Sequence, residues 1–233
     1  KSQGYRTIAD LSRHPKWRHN AGSFLNTVNI KDVFKLQEQL RYVLPKSHPL
    51  LHYLAGFCKD DNFTIVDIET LGLFGRPIIL LGVAKVSNNL VVTRQYLIRS
   101  VSEEACVLSE FVSGLTVDSA LISFNGRCFD VPFIRERLAY YGLECPNFLG
   151  AIHFDMLHFA RRAFRGRFTD CRLETIESYL GISRIINIPS AVVPEFYDAY
   201  QRSGNVGPLI PIVKHNQQDL VTLAKLFFSL YQE

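Results

Sequence analysis

The sequence lacks any long hydrophobic run and any sign of an export signal. No stretch of about 18 consecutive apolar residues occurs, which is the length that a membrane-spanning helix needs. The first residues are polar and do not follow the charged-then-apolar order of a signal peptide. We therefore expect a cytoplasmic protein that does not enter a membrane. The sequence begins with Lys1 rather than Met, which leaves open whether the natural chain extends upstream.

Paired cysteines are also missing. The five cysteines are scattered and form no Cys-x-x-Cys pair: Cys58, Cys106, Cys128, Cys145 and Cys171. An odd, scattered set argues against a disulfide framework and against a structural zinc site, and it fits a reducing compartment. A charge excess is nearly absent too, because the formal charge is +4 and the pI is near 8.8. Net charge alone therefore does not identify a partner.

Hydrophobic residues make up 47% of the 233 residues, which is enough for one large core. The first 60 residues have an irregular, polar pattern, apart from a helical period over residues 30–44. From residue 63 onward, strand-like and helix-like segments follow one another closely. We therefore predict an N-terminal extension, residues 1–60, packed on one main domain, residues 61–233.

Three strand-like segments open the main domain, at residues 63–69, 77–86 and 90–98. Their short connections predict an antiparallel meander. A helical pattern follows at residues 102–115, and the apolar run at residues 120–126 is typical of a buried strand in a parallel pair. The remainder has mainly helical patterns. This order predicts an α/β fold with a mixed sheet flanked by helices.

The first strand ends in two acids. Since side chains on a strand alternate between two faces, Ile65, Asp67 and Glu69 share one face. Adjacent carboxylates repel and raise each other's pKa unless a cation lies between them, and no basic residue follows before Arg76. A divalent cation such as Mg²⁺ or Mn²⁺, which prefers carboxylate oxygens, is a suitable partner. The alternative is that Asp67 caps a turn and Glu69 points into water.

Two later segments add acids in positions suited to the same site. Asp130 follows the fourth strand at the predicted start of a helix. Ligands of open α/β sheets bind at the carboxyl ends of strands, where Asp130 would meet the acids of the first strand, although Asp is also a common helix cap. In the terminal helix, His215 and Asp219 are four residues apart and share a face. They are either functional residues or an intrahelical pair.

Three motifs therefore occur in order: Asp-Ile-Glu-Thr at residues 67–70, Phe-Asn-Gly-Arg-Cys-Phe-Asp at residues 124–130, and His-Asn-Gln-Gln-Asp at residues 215–219. Together they resemble the exonuclease motifs of the DEDD group in the ribonuclease H-like superfamily, and especially YprB-type ribonuclease H-like domains. The likeness covers about residues 63–230. It implies a ribonuclease H-like sheet flanked by helices.

The resemblance also implies a set of site residues. Asp67, Glu69, Asp130 and Asp219 would be catalytic metal ligands for two Mg²⁺ or Mn²⁺ ions, and His215 would activate or orient water. The spacing departs from the family, because this chain has His-x3-Asp where other members have Tyr-x3-Asp or His-x4-Asp. Of the five residues that the resemblance assigns, His215 is therefore the one whose role the motif spacing supports least.

By resemblance, the reaction is metal-dependent hydrolysis of phosphodiester bonds by a 3′–5′ exonuclease with two metal ions. A ribonuclease H-like endonuclease is one alternative, and a nucleic-acid-binding module without catalysis is another. The intact set of four acids argues against the binding module, since a surface that only binds phosphate gains nothing from four negative charges. Neither DNA nor RNA is favoured as the partner, and no oligomeric state is indicated.

Substrate contacts are predicted in an arginine-rich stretch after the second motif. The stretch contains Arg161, Arg162, Arg165, Arg167 and Arg172 interleaved with Phe164 and Phe168, and the first three arginines are the predicted contacts. Arginines hold phosphates, and exposed aromatic rings stack on unpaired bases. The same pattern equally fits a solvated helix face with its phenylalanines in the core.

Four further polar residues are assigned by their setting in the sequence. Asn125 of the second motif is predicted to contact substrate. Asp155 is predicted to have a structural role rather than to be another metal ligand. Glu174 and Glu177 are predicted to be surface residues.

Overall fold

The computed structural model describes residues 13–16, 18–19, 30–73, 75–87, 90–168, 170–184 and 186–232. Most of the first 29 residues, which belong to the predicted N-terminal extension, lie outside the described residues. The turn expected at residues 87–89 also lies outside them, apart from its first residue.

Five strands form one mixed sheet in the spatial order β3-β2-β1-β4-β5. They are β1 (Phe63–Thr70), β2 (Ile78–Ser87), β3 (Leu90–Leu97), β4 (Ala120–Ser123) and β5 (Ile152–Asp155). The pairs β1–β2 and β2–β3 are antiparallel, which confirms the predicted meander. The pairs β1–β4 and β4–β5 are parallel, which confirms the mixed sheet.

The last strand, β5, is missing from the sequence-based prediction. It has four residues, all of them buried, so no alternation of polar and apolar side chains marks it. It pairs with β4, with Ile152 opposite Ala120 and Asp155 opposite Ser123. The expectation of mainly helical structure after β4 is therefore wrong for this segment.

Nine α-helices surround the sheet in the part of the chain that the structure describes. They are α1 (Ile30–Val43), α2 (Pro49–Tyr53), α3 (Glu104–Ser113), α4 (Asp130–Tyr140), α5 (Pro146–Leu149), α6 (Met156–Ala163), α7 (Leu173–Tyr179), α8 (Val193–Ser203) and α9 (Leu209–Gln232). Short 3₁₀ turns occur at Leu54–Phe57, Asp60–Asn62, Val101–Glu103 and Ser190–Val192. Among these described helices, none combines the length and the apolar composition that crossing a membrane requires.

The alternation along β1 divides the core between the two faces of the sheet. Phe63 and Ile65 pack with apolar residues of α1, α2, α6 and α9. Val66 and Ile68 pack on the opposite face with residues of α3, α4 and α5. This confirms the predicted alternation and places the acids of β1 on the face that α9 covers.

Helices α1 and α2, which lie within residues 1–60, pack on the sheet. Val33 of α1 and Leu51 of α2 are buried in the same apolar cluster as Ile65. The side-chain amide of Gln37 forms two hydrogen bonds with the backbone of His153 in β5. Its Nε2 donates to His153 O at 3.2 Å, and its Oε1 accepts from His153 N at 3.0 Å. Helix α1 therefore covers the edge of the sheet that β5 forms.

Candidate active site

The two acids of the first motif lie at the carboxyl end of β1. Asp67 is half-buried and Glu69 is buried. The pairing with β2 shifts by one residue just after them, because Glu69 lies opposite Leu80 whereas Thr70 lies opposite Ile78. Such bulges change the direction of side chains and are frequent beside functional sites.

Asp130 joins these acids from the start of α4, the helix that follows the neighbouring parallel strand β4. It is the first residue of α4, preceded by Phe129 as the N-cap, so the alternative interpretation as a helix cap does not apply. Its Oδ1 atom accepts a hydrogen bond from Ile68 N at 3.2 Å. This bond holds Asp130 against the backbone between Asp67 and Glu69, as the position of the residue after β4 predicts.

The loop before Asp130 is held by Asp155, the last residue of β5. Asp155 Oδ1 accepts from Asn125 N at 2.8 Å and Asp155 Oδ2 accepts from Arg127 N at 3.1 Å. It also caps α6 by accepting from Leu157 N at 3.2 Å. Asn125 is exposed and has a positive φ of 62°. Asp155 thus has the structural role that the sequence predicts.

Two glycines make room for side chains of the site. A Cβ atom at Gly126 would lie 2.2 Å from Ser123 Oγ and 3.2 Å from Asp130 Oδ2. A Cβ atom at Gly82 would lie 2.2 Å from Asn216 Oδ1. Since real Cβ atoms do not approach other atoms so closely, only glycine allows the second motif and α9 to approach the sheet as they do.

Asn216 connects the third motif to the first. It is fully buried, and its Nδ2 donates to Asp67 Oδ2 at 2.7 Å and to Asp67 O at 3.2 Å. Its Oδ1 accepts from Gln95 Nε2 of β3 at 2.8 Å. The side chain of Asp67 therefore has a fixed direction. The sequence analysis gives Asn216 no role, although its place between His215 and Asp219 is a signal.

Asp219 and His215 share a partner that the sequence analysis does not identify. Arg184 Nη2 donates to Asp219 Oδ1, and Arg184 Nη1 lies 3.0 Å from His215 Nδ1. His215 Nε2 lies 3.5 Å from Asp219 Oδ2, so the intrahelical pair also exists. Arg184 comes from the segment after α7 and is 35 residues from Asp219, so no local pattern reveals it.

Glu177 completes this group of charges. Only 1% of its side chain is exposed, so the expectation that it is a surface residue is wrong, whereas Glu174 is exposed as expected. Arg184 Nε donates to Glu177 Oε2 at 2.6 Å, and Thr222 Oγ1 donates to Glu177 Oε1 at 2.6 Å. A buried carboxylate is retained here because an arginine and a hydroxyl pair with it.

Burial and mutual repulsion raise the pKa of each acid in the first two motifs. The pKa of Glu69 is raised to about 8 by burial and by the charges of Asp219 and Asp130. Burial raises the pKa of Asp130 to about 7, although its backbone hydrogen bonds oppose the shift. The pKa of Asp67 is well above its usual range because of burial and because of the other three acids, with Asn216 acting in the opposite direction.

Cationic groups reach only one of the four acids. Burial raises the pKa of Asp219, but His215 and Arg184 oppose the shift. Among the described residues, no Lys, Arg or His forms an ion pair with Asp67, Glu69 or Asp130. The first two motifs thus concentrate carboxyl groups that, when ionised, meet no cationic side chain among the described residues.

This donor set has the chemistry of a site for hard divalent cations, because Mg²⁺ and Mn²⁺ prefer carboxylate oxygens. The side chains are not arranged as a finished site, however. Over the ranges that the structure describes, no three His, Cys, Asp or Glu side chains form a group that could hold a metal ion as they stand. Asp219 is engaged by Arg184, so a metal ion that bound to its Oδ1 atom would compete with that arginine.

The arginine-rich stretch is divided between surface and core. All three arginines predicted to contact substrate are exposed: Arg161, Arg162 and Arg165. Phe164 is buried, and its ring centroid lies 5.0 Å from that of Tyr179. Phe168 is half-buried and packs against the same tyrosine at 5.5 Å. Phe164 is therefore a core residue rather than a platform for bases, while the three arginines lie on the surface.

Comparisons with known proteins show the family of the chain. The sequence profile of the RNase H superfamily matches residues 64–231. The uncharacterized protein YprB of Bacillus subtilis (strain 168) is 30% identical over 187 residues, which cover 78% of this chain and 45% of that protein. The chain thus spans less than half the length of this relative.

The same fold occurs among solved structures, and one of them serves as the example. It is the family B DNA polymerase from the hyperthermophilic archaeon Pyrobaculum calidifontis, with a TM-score of 0.59 and 16% sequence identity. The similarity covers 72% of this chain and 24% of the polymerase chain. The fold is therefore one that also occurs as part of a much larger protein.

Proposed function

Because the chain belongs to the RNase H superfamily, we propose that it is a metal-dependent nuclease that hydrolyses phosphodiester bonds in DNA or RNA. One observation carries the proposal. Asp67, Glu69 and Asp130 meet at the carboxyl end of β1, and each has a raised pKa because of burial and neighbouring acids. Acids with raised pKa values ionise together only when cations offset their repulsion, so a bound divalent cation is the partner that would ionise them and allow phosphate to approach.

The metal ligands in this proposal are Asp67, Glu69, Asp130 and Asp219, and they would hold two Mg²⁺ or Mn²⁺ ions. When bound, such ions supply water activation and neutralise charge on the phosphate oxygens. The protein fixes the direction of two ligands beforehand. Asn216 holds Asp67 through Oδ2, and the backbone N–H of Ile68 holds Asp130 through Oδ1.

His215 is the proposed general base. Its ring lies beside Asp219 on the same face of α9, with Nε2 at 3.5 Å from Asp219 Oδ2. A neutral imidazole with a free lone pair accepts a proton near neutral pH, and a positioned base contributes about 10² to 10⁴ in rate. Asn125, Arg161, Arg162 and Arg165 are the proposed substrate contacts, in support of which all four are exposed.

We further propose that cleavage proceeds from the 3′ end. The support is the order and content of the three motifs, which resemble those of DEDD exonucleases. On this proposal a single strand end enters the site, whereas an endonuclease needs a cleft that is open along the strand.

A product analysis tests both levels of the proposal. Purified protein is incubated with 5′-labelled single- and double-stranded DNA and RNA, in Mg²⁺, in Mn²⁺ or in EDTA. We expect a ladder that shortens by single nucleotides with Mg²⁺ or Mn²⁺ and intact substrate in EDTA. Internal fragments without a ladder would instead show an endonuclease. Tight binding without cleavage under every condition would show a nucleic-acid-binding module.

A further inference from the structure

The guanidinium group of Arg184 joins two acids and the histidine of the third motif. Its Nε donates to Glu177 Oε2 at 2.6 Å and its Nη2 donates to Glu177 Oε1 at 3.0 Å. Nη2 also donates to Asp219 Oδ1, and Nη1 lies 3.0 Å from His215 Nδ1. With 10% of its side chain exposed, Arg184 is largely enclosed by these partners.

Glu177 is the fixed end of this arrangement. Its Oε1 atom also accepts from Thr222 Oγ1 at 2.6 Å and from Gln218 Nε2 at 3.3 Å, both of them on α9. Paired side-on with Glu177, Arg184 is already neutralised. Its bond to Asp219 is therefore additional, and Arg184 keeps a carboxylate partner if Asp219 turns away.

The bonds from Arg184 block two functions of the third motif at once. A guanidinium group only donates hydrogen bonds, so Asp219 Oδ1 and His215 Nδ1 must both be acceptors. The single ring proton of a neutral His215 then lies on Nε2, 3.5 Å from Asp219 Oδ2. While Arg184 is in place, Asp219 is paired with a cation and the ring of His215 has no lone pair free for water.

We propose that Arg184 is a resident counter-ion of the metal-free protein, and that a divalent cation displaces it from Asp219. The proposal rests on the function proposed above, because it takes Asp219 as a metal ligand. Displacement would release Asp219 and His215 together. A cavity of about 590 Å³ beside Arg184, lined among others by Glu174, Ser178 and Asn187, gives the guanidinium a polar space into which it turns while it keeps Glu177.

Calorimetric titration of EDTA-treated protein with Mn²⁺ tests the competition. The double variant Glu177→Gln/Arg184→Gln removes one charge of each sign, so that neither member of the buried Glu177–Arg184 pair is left without the other, while Asp219 loses its arginine. We expect it to bind Mn²⁺ at least about fivefold more tightly than the wild type, which is the lower end of typical couplings between two sites. Glu177→Gln alone should have the opposite effect, because Arg184 then has Asp219 as its only carboxylate partner.

A second measurement needs no variant. The ¹⁵N signals of the His215 ring in the wild-type protein report which nitrogen carries the proton and whether Nδ1 accepts a hydrogen bond. We expect the Nε2–H tautomer with a bonded Nδ1 in EDTA, and a changed Nδ1 signal at saturating Mg²⁺. This measurement decides the question if circular dichroism shows that the double variant does not fold.

The outcomes separate this inference from the proposed function. If wild-type protein binds no Mn²⁺, the proposed metal site is wrong and this inference falls with it. If wild-type protein binds Mn²⁺ but the double variant binds it equally or more weakly, only this inference is overturned. Binding that is weaker by about 10- to 100-fold would show that Arg184 positions Asp219 for the metal. An Nδ1 signal that Mg²⁺ leaves unchanged would also overturn it.

Discussion

Two groups of buried charges lie close to the sheet, and they differ in how completely each charge is paired. The first joins α3 to α4 through Glu104 and Arg137, whose side chains are 0% and 7% exposed. Arg137 binds both carboxylate oxygens, with Nε to Oε1 at 2.8 Å and Nη2 to Oε2 at 2.6 Å. Ile78 N and Tyr141 OH donate to the same carboxylate at 2.8 and 3.0 Å.

The second group is the acidic end of β1. Asp67, Glu69 and Asp130 have no ion-pair partner in the described part of the chain, and the pKa of each is raised by burial and by other acids. Both groups lie beside the same sheet and contain buried carboxylates. Within the ranges that the structure describes, only the first has its carboxylate paired with a cationic side chain.

The comparison separates a structural charge from a functional one. A buried ion pair with every oxygen bonded fixes the orientation of two helices and needs nothing else. Uncompensated buried acids destabilise the protein that contains them, and they persist where a ligand from outside supplies the missing charge. Substitutions in the two groups should therefore have opposite effects on stability and activity.

The largest effect is expected from removing a charge in the unpaired group. Asp67→Asn keeps the shape of the side chain but weakens a metal ligand, so cleavage should fall by at least about 10³, because a bound metal contributes several kcal/mol to transition-state stabilisation. The free energy of unfolding in EDTA should stay constant or rise, since one repelling charge is gone. Single-turnover cleavage and urea unfolding measure the two effects.

The matched control for this prediction is Asp198→Asn. Asp198 is an acid of α8 with 59% of its side chain exposed, so its substitution should change neither quantity. Cleavage by Asp67→Asn at the wild-type rate would contradict the assignment of Asp67.

The next effect separates a ligand from a base within α9. His215→Ala removes no proposed metal ligand, so Mn²⁺ affinity should stay within about threefold of the wild type while kcat falls by about 10² to 10⁴. Asp219→Asn should lower both quantities. Calorimetry beside single-turnover cleavage distinguishes them. Unchanged cleavage by His215→Ala would show that the histidine is only a helix-face partner of Asp219.

A substitution in the Glu104–Arg137 pair should lower the free energy of unfolding and leave the cleavage rate unchanged. Glu104→Gln leaves Arg137 buried without its counter-ion, which should lower the free energy of unfolding by about 3–5 kcal/mol. Cleavage per folded molecule should not change. Glu110→Gln, at an exposed position of the same helix, is the control. A decrease below about 1 kcal/mol would mean that the Glu104–Arg137 pair contributes no more than a surface ion pair.

The pH dependence of stability should separate the groups further. In EDTA, the pKa of Glu69 is about 8 in the folded protein, against an ordinary value of 4.5. The folded state therefore keeps a proton that the unfolded state has lost, so the free energy of unfolding falls as pH rises from 4.5 to about 8. This contribution is at most about 1.4 kcal/mol per pH unit.

Glu69→Gln cannot titrate and should lack that contribution. Urea unfolding at about pH 5 and about pH 8 should show the variant gaining stability relative to the wild type as pH rises. Parallel pH profiles of the two proteins would contradict the prediction. Saturating Mg²⁺ should flatten the wild-type profile, because the cation supplies the charge that favours the ionised carboxylates.

The smallest effect is expected outside both groups. Replacing Arg161, Arg162 and Arg165 by Gln should weaken substrate binding and reduce its salt dependence, by about 0.7 to 0.9 in slope for each phosphate that an arginine no longer neutralises. The cleavage rate of bound substrate should hardly change. Arg202→Gln, an exposed arginine of α8, serves as the control. An unchanged slope would identify the stretch as a solvated helix face.

The sequence alone predicts features that are set by residues close together in the chain. Alternation in β1 predicts which residues face α9, and the position of Asp130 after β4 predicts that it meets the acids of β1, because parallel strands bring their carboxyl ends together. The meander is equally predictable, since its connections are too short for any other pairing.

Features that depend on distant pairs are not predictable in this way. Arg184 meets Asp219 across 35 residues, and Arg137 meets Glu104 across 33. Charged residues are usually exposed, so the pattern around Glu177 indicates a surface position, and only the folded chain shows its partner. Strand β5 is too short and too uniformly buried to have a period. In each case, tertiary contacts outweigh the local preference.

The central claim is that Asp67 and Glu69 of β1 and Asp130 of α4 bind a divalent cation. Crystals soaked in Mn²⁺ together with a nucleotide, and measured with X-rays that excite anomalous scattering from manganese, test it most directly. We expect an anomalous peak in contact with the carboxylates of Asp67, Glu69 and Asp130, and its disappearance in crystals of Asp67→Asn. Ordered nucleotide in the wild-type crystals without an anomalous peak at these carboxylates would contradict the claim.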